Sequence, residues 1–131
     1  MDDAAKIKVV TDMIDAWNAT DWERVVALFA PDGVLHSVMS APVVGHAAIR
    51  ERLAVLSDGL ESLDIRTKAV GVIGGRVFVE RLDVFDVRGN HGEVPVVGIL
   101  TIEDGLVTEW LEYYDRATLL SGMGLTADFA H

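Results

Sequence analysis

No cysteine occurs in the chain, so neither a disulfide framework nor a thiolate metal site is open to it. Half of the residues are hydrophobic, yet no apolar run approaches the roughly 18 residues that cross a bilayer. Basic residues are scarce: 11 Lys and Arg stand against 21 Asp and Glu, for a formal charge of −10. That balance argues against nucleic acid, which asks for clustered Lys and Arg, and against anionic membrane surfaces. A small neutral or cationic ligand is compatible with it. The opening Met1-Asp2-Asp3 is acidic and leads into an amphipathic pattern, unlike a secretory signal, so a cytoplasmic location is expected. His36, His46, His91 and His131 are scattered over different segments without metal-ligand spacing. A Gly-x-Ser-x-Gly elbow for nucleophilic serine chemistry is missing as well.

What is present fits one domain over residues 1–131, long enough for a sizeable core and too short for two. Val10, Met13, Ile14 and Trp17 follow helical spacing behind Asp2 or Asp3 as N-cap. Thr20-Asp-Trp-Glu23 matches a capping box, and Val25, Val26, Leu28 and Phe29 form the apolar side of a short second helix that Pro31-Asp-Gly33 breaks. A strand is expected from Val34 to Met39, and a third helix from His46 to Asp58 with Gly59 as its stop. Thereafter segments 62–72, 76–88, 93–103 and 106–117 are rich in Val, Ile, Phe and Tyr. Gly74-Gly75 and Asp104-Gly105 suit tight hairpins, and Arg88 to Gly92 a longer one. Helices followed by a meander indicate an α+β domain, with a curled sheet enclosing a pocket beneath the helices. The stretch from Ser121 to His131 reads as a cover or a loose end.

The most telling phrase is Val77-Phe-Val-Glu-Arg-Leu-Asp-Val-Phe-Asp-Val87. Alternation along a strand puts Val77, Val79, Arg81, Asp83, Phe85 and Val87 on one face. A charge on a greasy face is costly unless paired, so Arg81 and Asp83 read as an internal ion pair or a site. Asp115 ends another apolar-aromatic strand, Trp110 to Asp115, and with Asp83 would supply two carboxylates around one arginine. Tyr113 shares the Asp115 phase. Glu80, Asp86 and Glu112 take the opposite phase and read as surface or interface charges. Leu35 and Met39 would give an apolar wall.

Glu80 to Phe85, Val94-Pro-Val-Val-Gly98 and Trp110 to Asp115 resemble the limonene-1,2-epoxide hydrolase family, a branch of the SnoaL-like, nuclear transport factor 2-like superfamily. Leu28 to Asp32 and Gly45-His-Ala-Ala-Ile49 add to the resemblance. It implies three N-terminal helices packed on a strongly curved, mixed or antiparallel sheet, a cone-shaped α+β fold, as a homodimer through the outer sheet face. It further implies a cofactor-independent hydrolase of small lipophilic epoxides, with Asp115 as general base, Asp83 as general acid and Arg81 bridging them. No metal is implied. The family's water-holding Tyr and Asn fall on Leu35 and Ser37 here, and His46 replaces an Arg. Retention of the acid/base trio with a changed water clamp leaves two other readings open. One is an isomerase or epoxide-opening cyclase acting on a steroid or polyketide, and the other is a non-catalytic ligand-binding module. The expected ligand contacts are Ser37, Leu35, Met39, Tyr113 and Phe85.

Overall fold

Residues 1–128 are described by a computed structural model of the chain. Asp2 caps α1 (Asp3–Asn18) by accepting from the Ala5 N–H at 2.8 Å, and the helix buries Val9, Val10, Met13, Ile14 and Ala16. The next cap is Asp21 rather than Thr20: its carboxylate accepts from Arg24 N–H, and Thr20 itself turns through a positive φ of 51°. α2 (Trp22–Leu28) is therefore a two-turn helix, and β1 (Phe29–Ser37) follows with no loop between. Pro31-Asp-Gly33 lies inside that strand, where its pairing register shifts, instead of forming a break before it. Pro lacks a donor for the ladder, so a bulge is where a strand can hold it.

β2 (Val43–Val44), α3 (His46–Ser57), β3 (Leu60–Ile73), β4 (Arg76–Val87), β5 (Asn90–Glu103), β6 (Leu106–Tyr113) and α4 (Arg116–Gly122) complete the chain. The six strands form one sheet in the order β2-β1-β6-β5-β4-β3. Every pairing is antiparallel except that of β1 with β6. The three hairpin turns are alike. Gly74-Gly75, Arg88-Gly89 and Asp104-Gly105 all have positive φ at both positions, the backbone twist that two-residue turns need. The hairpin at Arg88 is thus as tight as the others, and Asn90 to Gly92 already belongs to β5.

The core has two parts. The larger joins α1, α2 and α3 to the sheet through Met13, Val26, Phe29, Ile49, Leu53, Leu100 and Trp110. The smaller packs α4 and its C-terminal flank on Phe85, Val87, Val94 and Val96 through Met123 and Leu119. α4 falls where the sequence suggests the end of a strand and an irregular cover. Its amphipathic signal is one short turn pair, too brief to register as a period. Beyond α4, Leu125 packs on the smaller core and the exposed Asp128 pairs with Arg116, while His131 lies outside the described residues. Asn18 pins the end of α1 to β3, donating to Ile65 C=O at 3.1 Å and accepting from Ile65 N–H at 2.7 Å. This pair of hydrogen bonds mimics a strand partner and sets Trp17 over the gap between the two cores.

Candidate active site

That gap is a cavity of about 150 Å³. Its walls are mostly apolar, with Trp17, Leu63, Ile65, Phe85, Val96 and Trp110 among them, and its polar groups are few: Ser37, Asp83, Glu112, Tyr114 and three arginines, Arg52, Arg81 and Arg116. Arg81 is only 4% exposed. Its Nε and Nη2 donate to the two oxygens of Asp83 at 2.8 and 3.0 Å. Its Nη1 donates to Glu112 Oε2 at 2.8 Å, and Nη2 also bonds Glu112 Oε1. One guanidinium is therefore held bidentately on both sides, the geometry for which arginine is suited and lysine is not. Trp110 stacks beneath, with the guanidinium carbon 5.6 Å from its ring centroid.

The electrostatics follow from burial. Desolvation opposes the charge on Arg81, but the carboxylates of Glu112 and Asp83 outweigh it and raise its pKa. Desolvation raises Glu112 above the ordinary glutamate range; Arg81 pulls it down, and the nearby Asp83 charge pushes it further up. The Trp110 indole N–H lies close enough to favour the charged form of Glu112, although it makes no well-formed hydrogen bond. Gly98 makes the cluster possible. A Cβ there would stand 2.8 Å from Arg81 Nη1, 2.9 Å from Glu112 Oε2 and 3.1 Å from Trp110 Nε1, so any side chain would displace the ion pairs.

β1 brings the second polar group. Ser37 is the register partner of Glu112 in the parallel pairing, and Leu35 that of Trp110. Ser37 Oγ lies 2.8 Å from Tyr114 Oη. Arg116 Nη1 donates to the same phenol oxygen at 2.5 Å. The phenol oxygen thus accepts from Arg116 and shares a hydrogen bond with Ser37, in which either hydroxyl can be the donor. Asp128 holds Arg116 from the other side at 2.9 and 2.6 Å.

Of the residues expected from sequence, Arg81, Asp83, Phe85, Leu35 and Ser37 line the cavity. Asp115, Tyr113 and Met39 do not. Asp115 is exposed and caps α4, accepting from Thr118 N–H at 3.2 Å and Thr118 Oγ1 at 2.6 Å. Tyr113 is 46% and Met39 43% exposed. Glu112, expected on the outer face, turns inward with its side chain 12% exposed, and Tyr114 follows it. The cause is a register shift between Thr101 and Ile102 opposite β6. It lets Val107 and Trp110 both face the core, so alternation carried along β6 from Val107 inverts beyond Trp110. A usable signal was in the sequence: Trp110, the bulkiest residue of the strand, shares its phase with Glu112 and Tyr114. His46 is half-buried, its Nε2 bonded to Phe29 C=O at 2.9 Å. Among the described residues no His, Cys, Asp or Glu group is arranged to hold a metal ion, and no helix is long and apolar enough to cross a membrane.

Asp115→Ala is expected to cost about 1 kcal/mol through the lost cap, read as a lower midpoint in urea denaturation, with the cavity intact.

Solved and curated proteins share this plan. A Mycobacterium tuberculosis epoxide hydrolase, EphG, is 24% identical over 120 residues, 90% of this chain and 80% of that one. The structure of an M. tuberculosis LEH-like epoxide hydrolase superposes with a TM-score of 0.80 at 21% identity, covering 92% of this chain and 90% of the other. A Catenulispora acidiphila protein with a ketosteroid isomerase-like fold, solved with trimethylamine, gives a TM-score of 0.80 at 24% identity, covering 94% and 97%. Residues 10–110 match the SnoaL-like domain itself, and with the six-stranded mixed sheet, the helices across it and the cavity between them, the chain belongs to the SnoaL-like domain family.

Proposed function

We propose that the protein hydrolyses a small lipophilic epoxide to a vicinal diol in one step. The observation that carries this reading is a single guanidinium gripping two carboxylates inside an apolar cavity, with a serine hydroxyl beside one of them. Opening an epoxide needs a base on the attacking water and an acid on the ring oxygen, flanking one site. Glu112 takes the base role, for it neighbours Ser37 across the β1–β6 ladder, and its raised pKa brings it nearer to the operating pH. A water held by the Ser37 hydroxyl gives its proton to Glu112 as its oxygen attacks the ring carbon. The carbon–oxygen bond of the epoxide breaks, and the departing oxygen takes a proton from Asp83, the reactive form of the coupled pair being the one with Asp83 protonated and Glu112 ionised. Glu112 then carries a surplus proton and Asp83 lacks one, and exchange with water through the cavity mouth restores both for the next turnover. Ser37 and Tyr114 thereby do what the family's first-strand pair does, with the phenol supplied from the end of β6.

The same reading includes a cytoplasmic homodimer through the outer sheet face, where Val97 and Tyr113 form an exposed cross-strand pair; sedimentation of Tyr113→Asp tests it. The activity is tested by incubating the protein with cyclic and terpene epoxides in oxygen-18 water. Labelled diol from the wild type is expected. A ring-opened product without label would instead establish internal opening by the substrate's own hydroxyl, the cyclase chemistry, and no turnover of any epoxide would overturn the hydrolase reading.

A further inference from the structure

Three arginines line the cavity, and two of them are fully engaged. Arg81 is locked between Asp83 and Glu112, and Arg116 between Tyr114 and Asp128. Arg52 differs. Among the described residues neither a carboxylate nor a carbonyl accepts from it, and no aromatic ring lies under it. It comes from α3, one turn before Leu56, which also lines the cavity. Arg52 is partly exposed while Arg81 is buried, so the first stands where the cavity opens and the second at its floor.

An arginine is an odd choice for an apolar mouth unless something satisfies its donors. Elsewhere on this acidic chain most guanidinium groups have a partner: Arg50 pairs with Glu23, Arg66 with Asp64 and Arg88 with Asp58, and Arg76 lies over the Phe78 ring. The outward field of a chain with charge −10 repels anions, so capture of an anionic ligand requires one local cation aimed at the cavity. Arg52 supplies it, with planar paired donors that match a carboxylate.

We propose that Arg52 binds a carboxylate at the mouth of the cavity, and that the substrate is an amphiphilic acid with its reactive oxygen at the Arg81 floor and its anionic end at α3. This rests on the catalytic reading for what happens at the floor, but not for the binding itself. Composition alone points to a neutral or cationic ligand; the unpaired arginine reverses that expectation.

The probes are cyclohex-3-ene-1-carboxylate, its methyl ester and the matching primary alcohol, titrated calorimetrically into wild-type protein and Arg52→Met near neutral pH. The wild type is expected to bind the carboxylate about tenfold or more tightly than the alcohol, the scale of a hydrogen bond to a charged group. Arg52→Met should lose that margin, with the loss confined to the carboxylate, and Arg52→Lys should recover part of it. Equal binding of acid and alcohol by the wild type would overturn the proposal. So would a loss common to all three probes in Arg52→Met, or no saturable binding of the carboxylate. If the carboxylate preference holds while no epoxide is turned over, the hydrolase reading fails and the anion site stands.

Discussion

Glu112→Gln is expected to lower epoxide turnover by about 10²–10⁴-fold, the usual contribution of a positioned general base, while the protein stays folded. Glutamine keeps the shape and still accepts from Arg81, but it cannot take the water's proton. Asp115→Ala in the same assay should retain turnover. The pair therefore separates the cavity carboxylate from the helix cap three residues on. The pH dependence carries the same assignment. A base must be ionised, and burial holds Glu112 above the ordinary glutamate value of 4.5, so the acid limb of kcat/KM should lie above that value in the wild type. Stability has the opposite slope. A carboxyl whose folded pKa exceeds its unfolded pKa binds its proton more tightly in the fold, so its contribution is greatest below the unfolded pKa and is lost as pH rises through the folded one. Urea midpoints measured across that window should fall with pH in the wild type relative to Glu112→Gln.

Arg81→Met should destabilise the protein by about 3–5 kcal/mol near neutral pH, since it strands two largely buried carboxylates without their counter-ion. The deficit should shrink in acid, where both can be neutral. Replacing Arg81, Asp83 and Glu112 together by apolar residues of similar volume should regain most of the stability and no turnover. That contrast distinguishes a trio kept for chemistry from one kept for architecture: an ion pair that served only the fold could be exchanged without functional loss.

The helices, the meander and the Arg81–Asp83 phrase were legible because each rests on local rules. β4 is regular from Val77 to Val87, so alternation gives its inner face correctly. The other half of the site was legible only from the Trp110 end of β6, because a register shift that pairing with β5 defines inverts the phase set by Val107. In sequence Asp115 ends an apolar-aromatic run, but a helix begins there, and an aspartate at such a boundary caps it. Tyr114 and Ser37 meet only through the parallel β1–β6 pairing, a tertiary event with no signature in either segment.

That pairing also bears on how the protein is made. The contact between Ser37 and Tyr114 spans 77 positions, whereas β3 to β6 pair with their neighbours through two-residue turns. Ordering a long intervening chain before its ends reward the closure is slow. On a translating ribosome Arg81 and Asp83 can meet as soon as β4 emerges, but β1 must wait, with Phe29 and Leu35 uncovered, until β6 has been synthesised. A nascent chain paused after Glu103 would hold its arginine on one acid and present an unclosed apolar trough, the species most in need of a chaperone.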